Sequence, residues 1–94
     1  MSNIFKATDT YQIKLVDNPT TGFTWVYICE NPDTTREIIR ETISNGNLMG
    51  SGSTLIITFQ STKSDTLKFY HIREWLHPNL NDLVPNYIYN VTIE

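Results

Sequence analysis

The chain has 94 residues, of which 39% are hydrophobic and 12% aromatic, and its formal net charge is −3. This length suits one hydrophobic core, so residues 1–94 are expected to form a single domain. A negative charge without a basic patch argues against a nucleic-acid partner. The lone cysteine, Cys29, cannot close an internal disulfide, and no apolar run is long enough to span a membrane.

The N-terminal residues lack the charged start and the long apolar run of a signal peptide. The expected location is therefore cytoplasmic, or vesicular or lysosomal by a route that the sequence does not show. A monomer is expected, with no membrane partner.

Apolar and polar residues alternate in five runs, as in Tyr11, Ile13 and Leu15, which share one face while Gln12 and Lys14 share the other. The runs lie at residues 10–16, 23–29, 54–59, 67–72 and 86–93. They are rich in β-branched and aromatic residues, and turn residues separate them. This pattern predicts an all-β domain, an immunoglobulin-like β-sandwich of about seven antiparallel strands.

Residues 35–43 fit two kinds of structure. Thr34-x-x-Glu37 resembles a helix capping box, and Ile38, Ile39 and Ile43 fit a short helix about as well as a strand. Because predicted strands surround the segment, a strand is favoured here, with a helical turn at its start left open.

Catalytic and metal-binding patterns are weak. Cys29 shares a strand face with Trp25 and Tyr27, which favours a buried hydrophobe over a nucleophile paired with His71 or His77. His71 ends a core face, where a rim histidine is the ordinary interpretation. Zinc, calcium and phosphate-loop spacings are not found. The chain is predicted not to be an enzyme and to need no cofactor.

The connection at residues 18–22 reads NPTTG. Pro19 fixes its own φ and biases Asn18 toward an extended conformation, and Gly22 permits a backbone that other residues resist. One interpretation is a stable turn. The other uses Thr20 and Thr21 as small hydroxyl groups on a rigid loop that can enter a narrow cleft.

Two further connections are unusual. The stretch Gly50–Thr54 has almost no side chains, so it is either a flexible linker or backbone that pairs with another chain like an added strand. Trp75, in the stretch REWLHP, either folds back over the core or serves as an interface anchor. In a seven-strand sandwich the loops after the second, fourth and sixth strands gather at one end. If an additional N-terminal strand precedes Tyr11, the three unusual connections occupy these positions, which indicates protein binding at that end.

NPTTGFTW, GSGST and REW, in this order and spacing, resemble the chagasin family, inhibitors of papain-like cysteine peptidases. That family carries an N-P-T-T-G loop, a G-x-G-G loop and an R-P-W or R-P-F loop on an immunoglobulin-like β-sandwich. The resemblance extends from about Tyr11 to Glu94, and residues 1–10 would supply a shortened first strand.

The resemblance implies reversible, tight inhibition in which loops 18–22, 50–54 and 73–78 occlude the cleft of a papain-like peptidase, cathepsin L-like or B-like. Thr20 and Thr21 would lie near the catalytic residues of the peptidase. Gly50–Ser53 would line the unprimed side, and Trp75, supported by Arg73, would pack on the primed side. The implied peptidase-binding residues are Asn18, Pro19, Thr20, Thr21, Gly22, Gly50, Ser51, Gly52, Ser53, Arg73, Glu74 and Trp75.

This sequence departs from the family pattern at two positions. Ser53 replaces the last glycine of the second motif, which is unfavourable if that position needs a positive φ. Glu74 replaces proline in the third motif, which loosens that loop and adds a carboxylate that repels acidic peptidases. The alternative function is a non-inhibitory immunoglobulin-like module for protein recognition or adhesion.

Overall fold

A computed structural model of the chain describes residues 3–17, 22–44, 52–76 and 79–94. These ranges contain seven strands: β1 (Ile4–Phe5), β2 (Tyr11–Asp17), β3 (Phe23–Cys29), β4 (Thr35–Ser44), β5 (Ser53–Ser61), β6 (Asp65–Arg73) and β7 (Tyr87–Ile93). They form a four-stranded sheet of order β1-β7-β6-β3 and a three-stranded sheet of order β2-β5-β4. Short 3-10 helices lie at Glu74–Leu76 and Leu80–Asp82. The predicted all-β class is confirmed.

The core lies between the two sheets and follows the alternation read from the sequence. Phe59 and Phe69, from opposite sheets, are fully buried with ring centroids 6.3 Å apart. Full burial of one such side chain stabilises the fold by about 2 kcal/mol relative to an exposed one. The buried apolar cluster comprises Tyr11, Ile13, Leu15, Leu55, Ile57, Phe59, Leu67, Phe69 and Val91.

The ambiguous segment is a strand, as favoured. β4 pairs antiparallel with β5 from Thr35 opposite Ser61 to Ser44 opposite Ser53. A bulge between Glu37 and Ile39 shifts the register by one residue, and both Ile38 and Ile39 are exposed. A turn precedes the strand, where the amide of Thr34 donates to the carbonyl of Asn31 at 3.1 Å.

Two details differ from the sequence predictions. The antiparallel prediction is wrong for β1, which pairs parallel with β7, Ile4 opposite Thr92. The physical reason is that β1 and β2 belong to different sheets, so no hairpin joins them and imposes an antiparallel pairing. The alternation also fails in β6, where Tyr70 is buried although it directly follows the core residue Phe69.

Strand ends from both sheets meet at one end of the sandwich, here called the loop end. In one sheet Asp17 and Ser44 both pair with Ser53, and in the other Phe23 pairs with Arg73. The indole Nε1 of Trp25 donates to the carbonyl oxygen of Val16 at 2.9 Å and so joins the sheets there. The described ranges contain no helix of the length and apolar character needed to cross a membrane.

Candidate functional site

The predicted site residues that the structure describes lie at the loop end. They are Gly22, Gly52, Ser53, Arg73 and Trp75, together with the backbone of Glu74, which begins a 3-10 helix. The others lie outside the described residues: Asn18, Pro19, Thr20, Thr21, Gly50 and Ser51.

The first and third predicted loops touch each other through Gly22 and Trp75. Gly22 has a φ of 76°, as its predicted backbone freedom requires. A Cβ atom added to it would lie 2.5 Å from Cζ3 and 2.6 Å from Cη2 of the Trp75 ring. Trp75 nevertheless remains 58% exposed, so it packs on a neighbouring loop stem and does not fold back into the core.

Arg73 connects Trp75 to strand β3. Its guanidinium carbon lies 4.9 Å from the centroid of the Phe23 ring and 5.5 Å from that of Trp75. The register explains the first contact, because Phe23 and Arg73 are directly opposite in the β3–β6 pair and share a face. Each such cation–π contact at an exposed site stabilises by about 0.5–1 kcal/mol.

The row continues inward through His71. Its ring centroid lies 5.0 Å from that of Phe23 and 4.5 Å from that of Trp25, nearly parallel to the latter at 15°. Among the described residues, the Nε2 atom of His71 is buried and has no hydrogen-bond partner. Five residues thus form one row, here called the aromatic stack: Trp25, His71, Phe23, Arg73 and Trp75.

The second predicted loop ends against the stem of the first. Gly52 has a φ of 76°, and a Cβ atom added to it would lie 3.2 Å from the carbonyl oxygen of Asp17. Ser53 lies in β5, is 5% exposed, and its hydroxyl donates to the same Asp17 oxygen at 3.4 Å. The positive φ therefore falls on Gly52 and not on Ser53, so the unfavourable term considered for Ser53 does not apply in this structure.

Cys29 lacks the surroundings of a nucleophile. Burial, and secondarily the Asp65 carboxylate, raises the pKa of its thiol to about 11. It pairs with Leu67, whereas His71 pairs with Trp25 four residues away along the same strand. His77, the other predicted partner, lies outside the described residues. The thiol is partly buried against the core, as favoured from the sequence, although not fully enclosed.

Metal binding has no support in the described ranges, where no group of three or more His, Cys, Asp or Glu side chains comes together.

Sequence reasoning missed the role of Phe23, Trp25 and His71 as a continuous connection to Trp75. Alternation places Phe23 and Trp25 on one face of their strand and His71 on the core face of another strand. Only the cross-strand register, Trp25 opposite His71 and Phe23 opposite Arg73, shows that they form one row.

The family model for the chagasin family peptidase inhibitor I42 matches residues 5–93, and the chain belongs to this family. Among solved structures, the chain is similar to the crystal structure of the cysteine protease inhibitor EhICP2 from Entamoeba histolytica. The TM-score is 0.78 and the identity 21%, over 99% of this chain and 86% of that chain. The comparison with curated protein sequences found no match.

These comparisons confirm three predictions. The structural similarity confirms the immunoglobulin-like β-sandwich. Because the resemblance seen in the loop motifs implies inhibition of papain-like cysteine peptidases, the family match confirms that function and that class of partner. It also confirms that the chain is an inhibitor and not an enzyme.

Proposed function

We propose that the chain inhibits papain-like cysteine peptidases by laying loops 18–22, 50–54 and 73–78 into the active-site cleft, reversibly and without a covalent bond. The observation that carries this mechanism is the position of Trp75. Its ring is 58% exposed, yet it is held between the Arg73 guanidinium and Gly22. An exposed tryptophan in a fixed position is a typical anchor for a protein interface.

The contacts of the loop stems support an order of the loops across the edge, with the first loop in the centre. Gly52, at the end of the second loop, lies against Asp17, which precedes the first loop. Gly22, at the end of the first loop, lies against Trp75 of the third. The residue before the first loop therefore contacts the second loop, and the last residue of the first loop contacts the third. This order supports the proposal that Thr20 and Thr21 enter the centre of the cleft.

Preorganisation provides the physical basis for tight binding. Ordering a flexible loop on binding costs about 0.5–1.5 kcal/mol for each immobilised side chain, and loop stems that are already packed avoid part of this. An interface of standard size, about 1,600 Å² in total, is then sufficient for nanomolar affinity.

The finer features of the partner are also proposals. The chain acts as a monomer on cathepsin L-like or B-like peptidases, in the cytoplasm or in a vesicular or lysosomal compartment where it meets them. The Glu74 carboxylate, next to Trp75 in sequence, disfavours peptidases with an acidic primed side. The proposed contact residues are those of the three loops, Asn18–Gly22, Gly50–Ser53 and Arg73–Trp75.

An inhibition panel of papain, a cathepsin L-like and a cathepsin B-like peptidase tests the proposal. We expect inhibition of at least one of them at nanomolar concentrations and no binding to papain whose cleft is already filled by a covalent epoxide inhibitor. Binding that persists on the filled enzyme without any effect on the rates would instead support the recognition module.

A further inference from the structure

We propose that His71 is a positioning residue for inhibition: its ring, stacked between Trp25 and Phe23, sets the position of Trp75 against Gly22. This inference rests on the proposed function, since it assigns a role at the same edge. His71 belongs to none of the three loop motifs.

Backbone contacts hold His71 in its position in the sheet. It lies opposite Trp25 in the β3–β6 ladder. Its amide donates to Oδ1 of Asn86 at 2.9 Å, just beyond the last β6–β7 pair, Phe69 opposite Tyr87. The described structure shows no hydrogen bond to the ring atom Nε2, so the imidazole is held by contacts between ring faces.

The aromatic stack reaches both stems of the first loop. At its inner end Trp25 donates to the carbonyl of Val16, two residues before that loop begins. At its outer end Trp75 lies against Gly22, the last residue of the loop. His71 connects the two ends of the stack, because its ring contacts both Trp25 and Phe23, and the Phe23 ring contacts the Arg73 guanidinium.

Loss of the ring at residue 71 leaves a gap between two aromatic faces. Phe23 then has no fixed neighbour on that side, and the exposed guanidinium of Arg73 loses a fixed face on which to lie. Trp75 would sample positions away from Gly22 and would have to be ordered by the peptidase on binding. The loss of His71 should therefore weaken inhibition only by displacing Trp75. If His71 had a purely structural role, its effect would not depend on Trp75.

A double-mutant cycle with papain tests this dependence. We expect His71→Ala to raise the inhibition constant about tenfold in the wild-type background and less than about twofold in the Trp75→Ala background, since residues linked through shared neighbours, here Phe23 and Arg73, couple. His71→Phe, which keeps an aromatic face, should remain within about threefold of wild type. If His71→Ala does not fold, as judged by urea unfolding, His71→Leu fills most of the space without an aromatic face and takes its place.

A second readout needs no peptidase. The Gly22 Hα proton that points toward the Trp75 ring should carry a ring-current shift in the NMR spectrum. We expect this shift to be reduced in His71→Ala or His71→Leu and kept in His71→Phe.

An unchanged Gly22 shift in the folded variant overturns the proposal, as does an unchanged inhibition constant or additive effects in the cycle. If the wild-type chain inhibits none of the three peptidases of the panel, the proposed function fails, and the Gly22 shift alone then decides whether His71 positions Trp75.

Discussion

Opposite ends of this sandwich are held together by different chemistry. At the end away from the loops, here called the sealed end, Tyr11, Thr35, Ser61 and Asp65 form a row of side-chain hydrogen bonds that runs through both sheets. All four residues are buried. At the loop end, contacts between aromatic rings and one guanidinium connect the side chains of the aromatic stack. Its last member, Trp75, is exposed.

The hydrogen bonds of the sealed end have a fixed direction. The Thr35 hydroxyl donates to Oδ2 of the Asp65 carboxylate at 2.6 Å, so it accepts from Ser61, which in turn accepts from the Tyr11 hydroxyl, each at 2.7 Å. The other carboxylate oxygen accepts from the amides of Asn31 and Thr66. Every polar group in this row faces another one in the protein, which leaves none of them for a partner.

The comparison separates stability from function along the sandwich. A buried, mutually satisfied network specifies one arrangement of strands. A stack that ends in an exposed indole holds the loop stems while it still presents a surface. Changes at the sealed end should therefore alter the free energy of unfolding, whereas removal of the exposed indole at the loop end should mainly alter inhibition.

The largest expected effect on stability follows from Asp65→Ala. The substitution leaves the Thr35 hydroxyl and two amides without their acceptor, so the free energy of unfolding should fall by about 3 kcal/mol. Urea unfolding measures this, and Asp33→Ala, which removes an exposed carboxylate at the same end, should stay within about 0.5 kcal/mol. Below its unfolding midpoint the variant should inhibit like wild type; weakened inhibition by fully folded protein would break the comparison.

Gly22→Ala should be next in size. It places a side chain at positive φ, which costs about 1–2 kcal/mol, and pushes a Cβ atom into the Trp75 ring. Gly52→Ala is the matched control, because its φ is also 76° but its Cβ atom would lie 3.2 Å from a backbone oxygen, away from Trp75. Both should lower the free energy of unfolding, but only Gly22→Ala should change the fluorescence of Trp75. Equal spectra would show that Gly22 does not set the position of the indole.

Trp75→Ala should raise the inhibition constant at least tenfold, equivalent to about 1.4 kcal/mol, because it removes the anchor. The free energy of unfolding should change little, since the side chain is mostly exposed. Val84→Ala, also an exposed apolar residue between β6 and β7, should leave the constant unchanged. An unaltered constant in folded Trp75→Ala would mean that the third loop is idle in inhibition.

The smallest expected effect is a loss of stability at alkaline pH. Burial raises the pKa of Cys29 to about 11 and, together with the hydrogen bond to Glu37, that of Tyr27 to about 12. Folding thus favours the protonated forms. Their contribution is complete below the ordinary pKa values of 9.0 and 10.0 and is lost as pH rises toward the folded values.

Urea unfolding between pH 8 and pH 11 measures this loss, and Cys29→Ala should make the decline begin at a higher pH. If the variant and wild type declined in parallel from pH 9, the thiol would not contribute.

Pattern alone predicted much of the fold, because alternation depends on local sequence. Tyr11, Ile13 and Leu15 were placed correctly on a buried face. The features that escaped prediction depend on pairing across strands: the bulge at Glu37 and Ile39, and the parallel partner of β1. Polar residues of the sealed end, such as Ser61, look in sequence like ordinary turn residues. Their burial follows only from the register that brings them together.

The candidate site was predictable in part. Gly22 and Trp75 were recognised from their motifs, but their contact depends on tertiary packing between two connections that are far apart in sequence. The sequence pattern indicates a rim histidine at position 71. Its place between two rings depends on the pairing of β6 with β3, which the pattern of one strand does not contain. The binding loops could be recognised from sequence, whereas the residues that hold them could not.

Titration of active-site-quantified papain with the purified chain tests the central claim most directly. If the loop end occludes the cleft, residual activity should fall linearly and reach zero near one inhibitor per active enzyme. Trp75→Ala should then turn the sharp end point into a gradual curve, whereas folded Asp65→Ala should keep it sharp. Full activity of papain, and of the cathepsin L-like and B-like peptidases titrated in the same way, at a micromolar excess of the wild-type chain would contradict the claim.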